Sequence, residues 1–270
     1  MPKAAALQMV SGPDRDRNLA ATRELVRVAA NAGADLVALP ESFALMGRSE
    51  ADRVCVAEVE GSGPIQAFLA ETAAAHKLWL VAGTIALWNG GSRERAYASC
   101  LVYDDTGAQR ARYDKIHLFD VVVPENGEQY KESANTVPGD EPVVIDTPVG
   151  KLGLAVCYDL RFPELFRQLC AQGAQIFAVP SAFAAATGRA HWEVLVRARA
   201  IENLCYVRAP GQGGRHASGR ETHGDTMVVD PWGRVVDRVA IGPGVALIHI
   251  DSDGQRHTRA HFPCLRHRRL

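Results

Sequence analysis

The chain has 270 residues, of which 47% are hydrophobic and 23% charged, and its formal net charge at pH 7 is -1. This composition is typical of a globular protein, and the even charge balance argues against a nucleic-acid partner. No apolar run approaches the length of a membrane span, and the first residues lack the apolar core of a signal peptide. We therefore expect a cytoplasmic protein without nucleic-acid or membrane partners.

The cysteine and histidine patterns argue against a disulfide framework or a metal site. The six cysteines are widely separated and include no Cys-x-x-Cys pair, and the nine histidines include no His-Glu-x-x-His motif. In a chain of this size, such cysteines are more typical of free thiols. These patterns therefore give no support to a zinc site.

The first half of the chain alternates strands and helices. Apolar residues at helical spacing between a strand and Gly33 predict the first helix, and Pro64 predicts the start of the second. The predicted strands span residues 4–9, 34–39, 79–86, 97–103 and 108–113, and the predicted helices span 17–32 and 64–76. Residues 121–138 are polar and without periodicity, which indicates a long loop of functional importance.

The second half repeats this order. Its predicted strands span residues 152–156, 174–179, 205–209, 226–229, 234–239 and 245–250, and its predicted helices span 163–172 and 191–203. The segment GADLVALPESFALMG at 33–47 also matches GAQIFAVPSAFAAATG at 173–188. The repeat predicts two pseudo-equivalent halves within one domain over residues 1–270. Two facing sheets with helices outside explain why the strands are nearly continuously apolar.

Three polar residues stand at or just past the ends of predicted strands: Glu41, Lys115 and Cys157. Each has an ordinary structural interpretation, as a turn cap, a solvated turn residue and a buried thiol respectively. Together they form a chemical set, because a carboxylate can take a thiol proton and an ammonium group can stabilise an oxyanion. His117 is a rival base for a Cys-His mechanism.

Three motifs carry a resemblance to a known family: PESF at 40–43, YDKIHLFD at 113–120 and AVCYDLRFPEL at 155–165. In this order they resemble the nitrilase superfamily of carbon–nitrogen hydrolases, over essentially the whole chain. The resemblance implies an α/β fold, a four-layer αββα sandwich, that assembles as a homodimer or larger homo-oligomer. It also implies a Glu-Lys-Cys site that uses neither metal nor cofactor.

The resemblance assigns roles to individual residues. Glu41 is then the general base, Lys115 the oxyanion stabiliser, Cys157 the nucleophile, and the backbone N–H of Tyr158 a second oxyanion donor. A second glutamate is implied in the segment YKESANTVPGD, which selects Glu132. Two other carboxylates of the same loop, Glu125 and Glu128, are its competitors.

The second half, from PSAFAAATGRAHWE to MVVDPWG, resembles the branch that contains amidases for deaminated glutathione and the omega-amidases. Substrates of this branch carry a carboxylate beside the amide, which an arginine suits. Arg161 and Arg189 are the candidate anchors, with Arg161 alternatively paired to Asp159 or Glu164. Phe183 and Thr187 are expected to border the pocket.

The sequence leaves two further points open. Arg215 and His216 are additional candidates for the pocket wall, although Gly213 and Gly214 stand where the branch more often has a cysteine before the Gly-Arg-His motif. We expect an amidase that acts on a small carboxylate-bearing amide, first deaminated glutathione. The alternatives are an omega-amidase, an N-carbamoyl amino acid hydrolase, a nitrilase and a catalytically silent scaffold.

Overall fold

The structure is a computed structural model that describes residues 1–49, 51–88, 90–91, 93–125 and 127–269. Two β-sheets face each other, and helices cover the outer face of each sheet. The predicted four-layer αββα sandwich is therefore confirmed. The described helices are α1 (Arg15–Asn31), α2 (Asp52–Cys55), α3 (Pro64–His76), α4 (Pro163–Ala171), α5 (Ala185–Asn203) and α6 (Ser252–His261).

The first sheet is formed mainly by the first half of the chain. Its strands are β1 (Lys3–Gln8), β2 (Leu36–Ala38), β3 (Trp79–Trp88), β4 (Ala96–Tyr103), β5 (Gln109–Asp114), β8 (Thr136–Val137) and β17 (Gly244–His249). Strands β1, β2 and β3 are parallel, and β4, β5 and β17 join them in antiparallel fashion.

The second sheet has the same plan. Its strands are β9 (Val144–Thr147), β10 (Gly150–Leu154), β11 (Ile176–Ala178), β12 (Tyr206–Ala209), β15 (Thr226–Val229) and β16 (Val235–Val239). Three parallel strands again lie at its centre, with antiparallel neighbours on either side. The two sheets therefore have matching strand orders, as the internal repeat predicts.

Alternate residues of the central strands face different layers. In β1, Ala4 and Ala6 belong to the core between the sheets, together with Leu152 and Leu154 of β10. Ala5 of the same strand faces the second core, under α1 and α3. Both faces of the strand are buried, which explains its nearly continuous apolar sequence.

The ends of the helices follow local sequence signals. The Asp14 side chain accepts a hydrogen bond from the Arg17 N–H and caps α1, while Pro64 and Pro163 occupy the first turns of α3 and α4. Helix α5 begins at Ala185, six residues before the predicted start at 191. Alanine-rich sequence without a capping side chain gives no local signal for that start.

The described residues of 121–138 do not form one long loop, as the sequence predicts, but short regular elements. This segment contributes to a hairpin of β6 (Asp120–Val122) and β7 (Gln129–Lys131), then a 3₁₀ turn (Glu132–Ala134) and β8. Strands of two or three residues are too short to show the alternation of apolar and polar residues by which a strand is recognised in a sequence. A second small hairpin joins β13 (Gly213–Arg215) to β14 (Glu221–His223). Among the described helices, none is both long and apolar enough to cross a membrane.

Candidate active site

The chain turns sharply where the nucleophile candidate leaves the second sheet. Strand β10 ends at Leu154, and Cys157 begins a 3₁₀ turn (Cys157–Arg161) with a left-handed φ of 48°. The Cys157 N–H donates a hydrogen bond to the Pro180 carbonyl, 2.9 Å away, just past the end of β11. A non-glycine residue held in this strained conformation is a frequent feature of functional sites.

Two other chain segments bring Glu41 and Lys115 to the candidate site. Glu41 follows β2 and precedes Ser42, which also has a left-handed φ of 55° and whose N–H donates to the Thr84 hydroxyl. Lys115 is the first residue after β5. Strand ends from both sheets therefore meet at one edge of the sandwich.

A buried lysine joins two buried carboxylates. The Lys115 Nζ donates to Glu41 Oε1 at 2.9 Å and to both oxygens of Glu132 at 2.9 and 3.0 Å. Glu41 Oε2 accepts a further hydrogen bond from the Ala182 N–H, and Glu132 Oε2 accepts one from the Phe119 N–H. These backbone donors fix the orientation of both carboxylates around one ammonium group.

The charges of this cluster reinforce one another. Burial alone disfavours a charged Lys115, but the carboxylates of Glu132 and Glu41 outweigh it and hold the Lys115 pKa above its usual value. Burial likewise opposes ionisation of Glu132, but Lys115 and then Arg53 lower its pKa. Lys115 therefore remains an ammonium group at neutral pH and serves as a donor rather than a base.

Cys157 lies beside this cluster as a neutral thiol. Burial, followed by the negative charge of Glu41, raises the pKa of Cys157, and the opposing effect of Lys115 is smaller. The Glu41 carboxylate and the thiol line the same pocket. Because little thiolate exists at neutral pH, attack by this sulfur requires a base at hand, and Glu41 occupies that place.

Asp159 fixes the turn that presents the cysteine. Its side chain is fully buried and accepts hydrogen bonds from the Val156 N–H at 2.8 Å and the Tyr113 hydroxyl at 2.6 Å. The other oxygen accepts from the His117 N–H and lies 2.7 Å from His117 Nδ1. Asp159 thus ties the nucleophile turn to the segment that carries Lys115, and it engages His117, the rival base.

Eight of the residues that the sequence nominated line one pocket, with a volume of about 330 Å³: Glu41, Lys115, Glu132, Cys157, Tyr158, Arg161, Phe183 and Thr187. A volume of this size suits a small-molecule ligand. Six cationic side chains line it, whereas only Glu41 and Glu132 among its lining residues are acidic. The cationic residues are Arg48, Arg53, Lys115, Lys131, Arg161 and Arg220. In a chain whose net charge is -1, this local excess of positive charge favours an anionic ligand.

Arg161 is held by rings and by a histidine. Its guanidinium carbon lies 5.3 Å from the Phe183 ring centroid and 5.9 Å from that of Tyr158, and its Nη1 is 3.2 Å from His191 Nδ1. The alternative pairing with Asp159 is wrong, because the Asp159 carboxylate is engaged by Val156, Tyr113 and His117. Thr187 lies beyond Phe183 in the pocket wall, near the start of α5, and its hydroxyl donates to the Ala184 carbonyl.

The other basic candidates lie outside the pocket wall. Arg189 is exposed within α5, and Arg215 is exposed on the β13–β14 hairpin. His216 is buried, with its two ring nitrogens 2.8 Å from the Ser11 carbonyl and 2.7 Å from the Thr222 hydroxyl. Its role is to hold the hairpin.

Sequence reasoning missed three arginines in the pocket wall, Arg48, Arg53 and Arg220, and contacts of the last two are defined. Arg220 donates to the Ala182 carbonyl at 2.9 Å, and its guanidinium carbon lies 5.2 Å from the Tyr130 ring centroid. Arg53 approaches Glu132 Oε1 at 3.8 Å. Both lie far along the chain from the nucleophile motif, so only their position in the fold identifies them.

Burial distinguishes the three candidates for the second glutamate. Glu132 is buried against Lys115, whereas Glu125 and Glu128 are exposed, and Glu128 accepts a hydrogen bond from the Tyr130 hydroxyl. Within the described ranges, no group of three or more histidine, cysteine, aspartate or glutamate side chains is arranged to hold a metal ion.

The fold and the pocket together have the form of an enzyme that hydrolyses carbon–nitrogen bonds. The family model described as carbon-nitrogen hydrolase matches residues 3–260, and the chain belongs to this family. It is an amide-hydrolysing enzyme.

Several curated relatives are named deaminated glutathione amidase. Deaminated glutathione amidase from Synechocystis sp. is 43% identical over 267 residues, which cover 98% of this chain and 97% of the relative. Deaminated glutathione amidase from Homo sapiens is 44% identical over 276 residues, covering 100% of this chain and 83% of the human protein.

Solved structures share the fold. The NitFhit protein of Caenorhabditis elegans superimposes with a TM-score of 0.91 at 36% identity, covering 99% of this chain and 65% of that longer chain. An amidase from Nesterenkonia sp. AN1 superimposes with a TM-score of 0.80 at 27% identity, covering 97% of this chain and 98% of the other. In that amidase variant, acrylamide has added to the active-site cysteine.

Proposed function

We propose that this chain hydrolyses a small dianionic amide through a thioester on Cys157, with deaminated glutathione as the substrate. The observation that carries the mechanism is the Lys115 ammonium group, which binds Glu41 and Glu132 beside the thiol. An ammonium donor, an oriented carboxylate and a thiol are the three groups that acyl transfer requires.

The first half of the reaction forms the thioester. The Cys157 sulfur attacks the amide carbonyl carbon while Glu41 takes the thiol proton. The Lys115 ammonium group and the Tyr158 N–H stabilise the negative charge on the carbonyl oxygen. Collapse of the tetrahedral intermediate breaks the C–N bond, and the proton held by Glu41 passes to the leaving amine.

The second half releases the acid. Glu41 takes a proton from a water molecule, which attacks the thioester carbonyl carbon, and the Cys157 sulfur leaves and regains the proton. Glu132 keeps Lys115 charged and in place through both halves. His117 takes no part, because it is engaged by Asp159 and stacks on Phe162 with ring centroids 3.7 Å apart.

The charge of the pocket supports the choice of substrate. Deaminated glutathione carries a carboxylate at each end with the γ-amide between them, and relatives that are 43–44% identical to this chain bear its name. We assign one carboxylate to Arg161 and the other to Arg220. An omega-amidase substrate such as 2-oxoglutaramate has one carboxylate, so it can pair with only one of these two arginines.

We also propose that residues 1–270 form one domain that acts in the cytoplasm as a homo-oligomer. Exposed apolar side chains on α5 and near it support association: Val194 is 68% exposed, Ile201 46%, Trp232 54% and Phe262 51%. Apolar groups clustered on one surface are typical of an interface between copies.

A substrate comparison tests this function. Wild-type protein should hydrolyse deaminated glutathione with a kcat/KM at least about tenfold above that for 2-oxoglutaramate, since one charge-assisted contact contributes about 1.5–3 kcal/mol. An N-carbamoyl amino acid and a nitrile complete the panel. Higher kcat/KM for 2-oxoglutaramate would make the protein an omega-amidase and overturn our choice of substrate.

A further inference from the structure

Two further cysteines, Cys170 and Cys205, lie near the amino ends of the parallel strands of the second sheet. Cys170 is in the last turn of α4, and Cys205 immediately precedes β12. Strands β10, β11 and β12 are parallel, and Cys157 follows the carboxyl end of β10. Cys205 is at the amino end of β12, so the pair is separated from the active site by the length of the sheet.

The two sulfur atoms converge on one backbone oxygen. Cys205 Sγ lies 3.3 Å from the Asn203 carbonyl oxygen, and Cys170 Sγ lies 3.8 Å from the same atom. Cys205 Sγ lies equally close to the Ala174 carbonyl oxygen, at 3.3 Å. The thiols are therefore neighbours in space although 35 residues apart in sequence.

Arginines surround the pair. Arg259 of α6 places Nη2 3.0 Å from Cys205 Sγ and 3.4 Å from the Asn203 oxygen. Arg167, one turn before Cys170, donates to the Glu202 carbonyl. The neighbouring Cys205 thiol is the largest cause that lowers the Cys170 pKa to about 6, with Arg259, Arg167 and Arg268 adding to it.

The two thiols differ in access and in charge. Cys170 is partly exposed, whereas Cys205 is buried, and burial raises the pKa of Cys205 well above its usual value. A solvent-accessible thiolate beside a buried thiol is the arrangement that favours oxidation followed by disulfide formation.

We propose that Cys170 and Cys205 form a second, non-catalytic site that reacts with hydroperoxides and closes into a disulfide. Cys170 receives the oxidant, and Cys205 resolves the product. The convergence of both sulfurs on the Asn203 carbonyl and the greater exposure of Cys170 carry this assignment. It is independent of the amide substrate.

The chemistry proceeds in two steps. The Cys170 thiolate attacks one peroxide oxygen, the O–O bond breaks, and the sulfur becomes a sulfenic acid while the other oxygen leaves as hydroxide or alkoxide. The Cys205 sulfur then attacks the Cys170 sulfur, and the S–O bond breaks to release water. The two thiols lose two electrons, and the peroxide is reduced.

Peptide mapping tests the site in the intact protein. Each of the six cysteines falls in a different tryptic peptide, with Cys170 in residues 168–189, Cys205 in 200–208 and Cys55 in 54–77. Reduced protein is treated with hydrogen peroxide at pH 7, alkylated and digested without reductant. We expect peptides 168–189 and 200–208 to be linked, and the link to form at least tenfold faster than oxidation of exposed Cys55.

Variants separate the two roles. Cys205→Ala should leave the Cys170 sulfenic acid available to dimedone, and Cys170→Ala should abolish both the adduct and the link. Arg259→Gln should slow oxidation of Cys170 about tenfold, whereas Arg256→Gln, an exposed arginine of the same helix paired with Asp253, should not. Oxidation of wild-type Cys170 no faster than Cys55, or oxidation without the link to Cys205, would overturn the proposal whatever the variants do.

Discussion

Cys157 and Cys170 lie near opposite ends of the parallel strands of the second sheet, and their surroundings shift the pKa of the two thiols in opposite directions. At Cys157, burial and the Glu41 carboxylate raise the thiol pKa. At Cys170, a neighbouring thiol and three arginines lower it to about 6. The thiol in the pocket is thus the less ionised of the two. In this fold a positioned base and oxyanion donors, and not the charge of the free thiol, distinguish a nucleophile from a merely reactive cysteine.

The largest expected effect separates the two thiols by activity. Cys157→Ala should reduce kcat for deaminated glutathione by at least about 10³-fold, because no other sulfur in the pocket can form the thioester. The matched variant Cys170→Ala should retain activity within about twofold. Steady-state rates of both variants measure this, and comparable losses in the two would remove the distinction between the sites.

A smaller loss should follow from removing the second carboxylate. Glu132→Gln takes away the charge that holds Lys115 in place, and we expect kcat to fall about 100-fold with little change in KM, as for other losses of oxyanion stabilisation. The control is Glu128→Gln, an exposed carboxylate of the same hairpin region. If kcat in Glu132→Gln equals that of the control, Glu132 has no part in positioning Lys115.

Alkylation should rank the thiols in the opposite order to catalysis. With iodoacetamide at pH 7 and no substrate, peptide 168–189 should be modified at least about tenfold faster than peptide 152–161, which contains Cys157, because thiolate is the reactive form. Below pH 6 the rate at Cys170 should decline as the thiolate is protonated. Time-resolved mass spectrometry gives both rates, and faster modification of Cys157 would reverse the assigned ionisation states.

The smallest effect concerns stability. A thiol whose pKa is lower in the folded than in the unfolded state stabilises the fold when it is ionised. This contribution is complete at a pH above the pKa of the unfolded state, and it is lost as the pH falls through the folded-state pKa of about 6. With allowance for solvent screening, wild type should gain about 1 kcal/mol over Cys170→Ala between pH 6 and 8. Urea unfolding at several pH values measures the difference. A difference independent of pH would contradict the ionised state of Cys170.

Local sequence signals predict much of the fold but not all of its edges. The apolar strands, Gly33 and the prolines that open α3 and α4 identify the central elements because each has a direct effect on backbone conformation. The start of α5 and the short hairpins are set by tertiary contacts. The Ala184–Thr222 bridge, for example, joins residues 38 positions apart.

In the candidate site too, some residues have a local sequence signal and others depend on tertiary contacts. Glu41, Lys115 and Cys157 stand at strand ends, where the sequence pattern alone nominates them. Arg220 and Asp159 act through the fold, since Arg220 reaches Ala182 from a distant hairpin and Asp159 reaches Tyr113 across the two sheets. The protonated state of Cys157 depends on burial and on Glu41, and neither effect can be read from the order of residues.

The most direct test of the central claim is to locate the acyl group during turnover. Wild-type protein is mixed with deaminated glutathione, quenched in acid within a single turnover, digested and analysed by mass spectrometry. We predict the 2-oxoglutaryl group as a thioester on peptide 152–161, and therefore on Cys157. An acyl group on peptide 168–189, or on any other cysteine-containing peptide, would contradict this account.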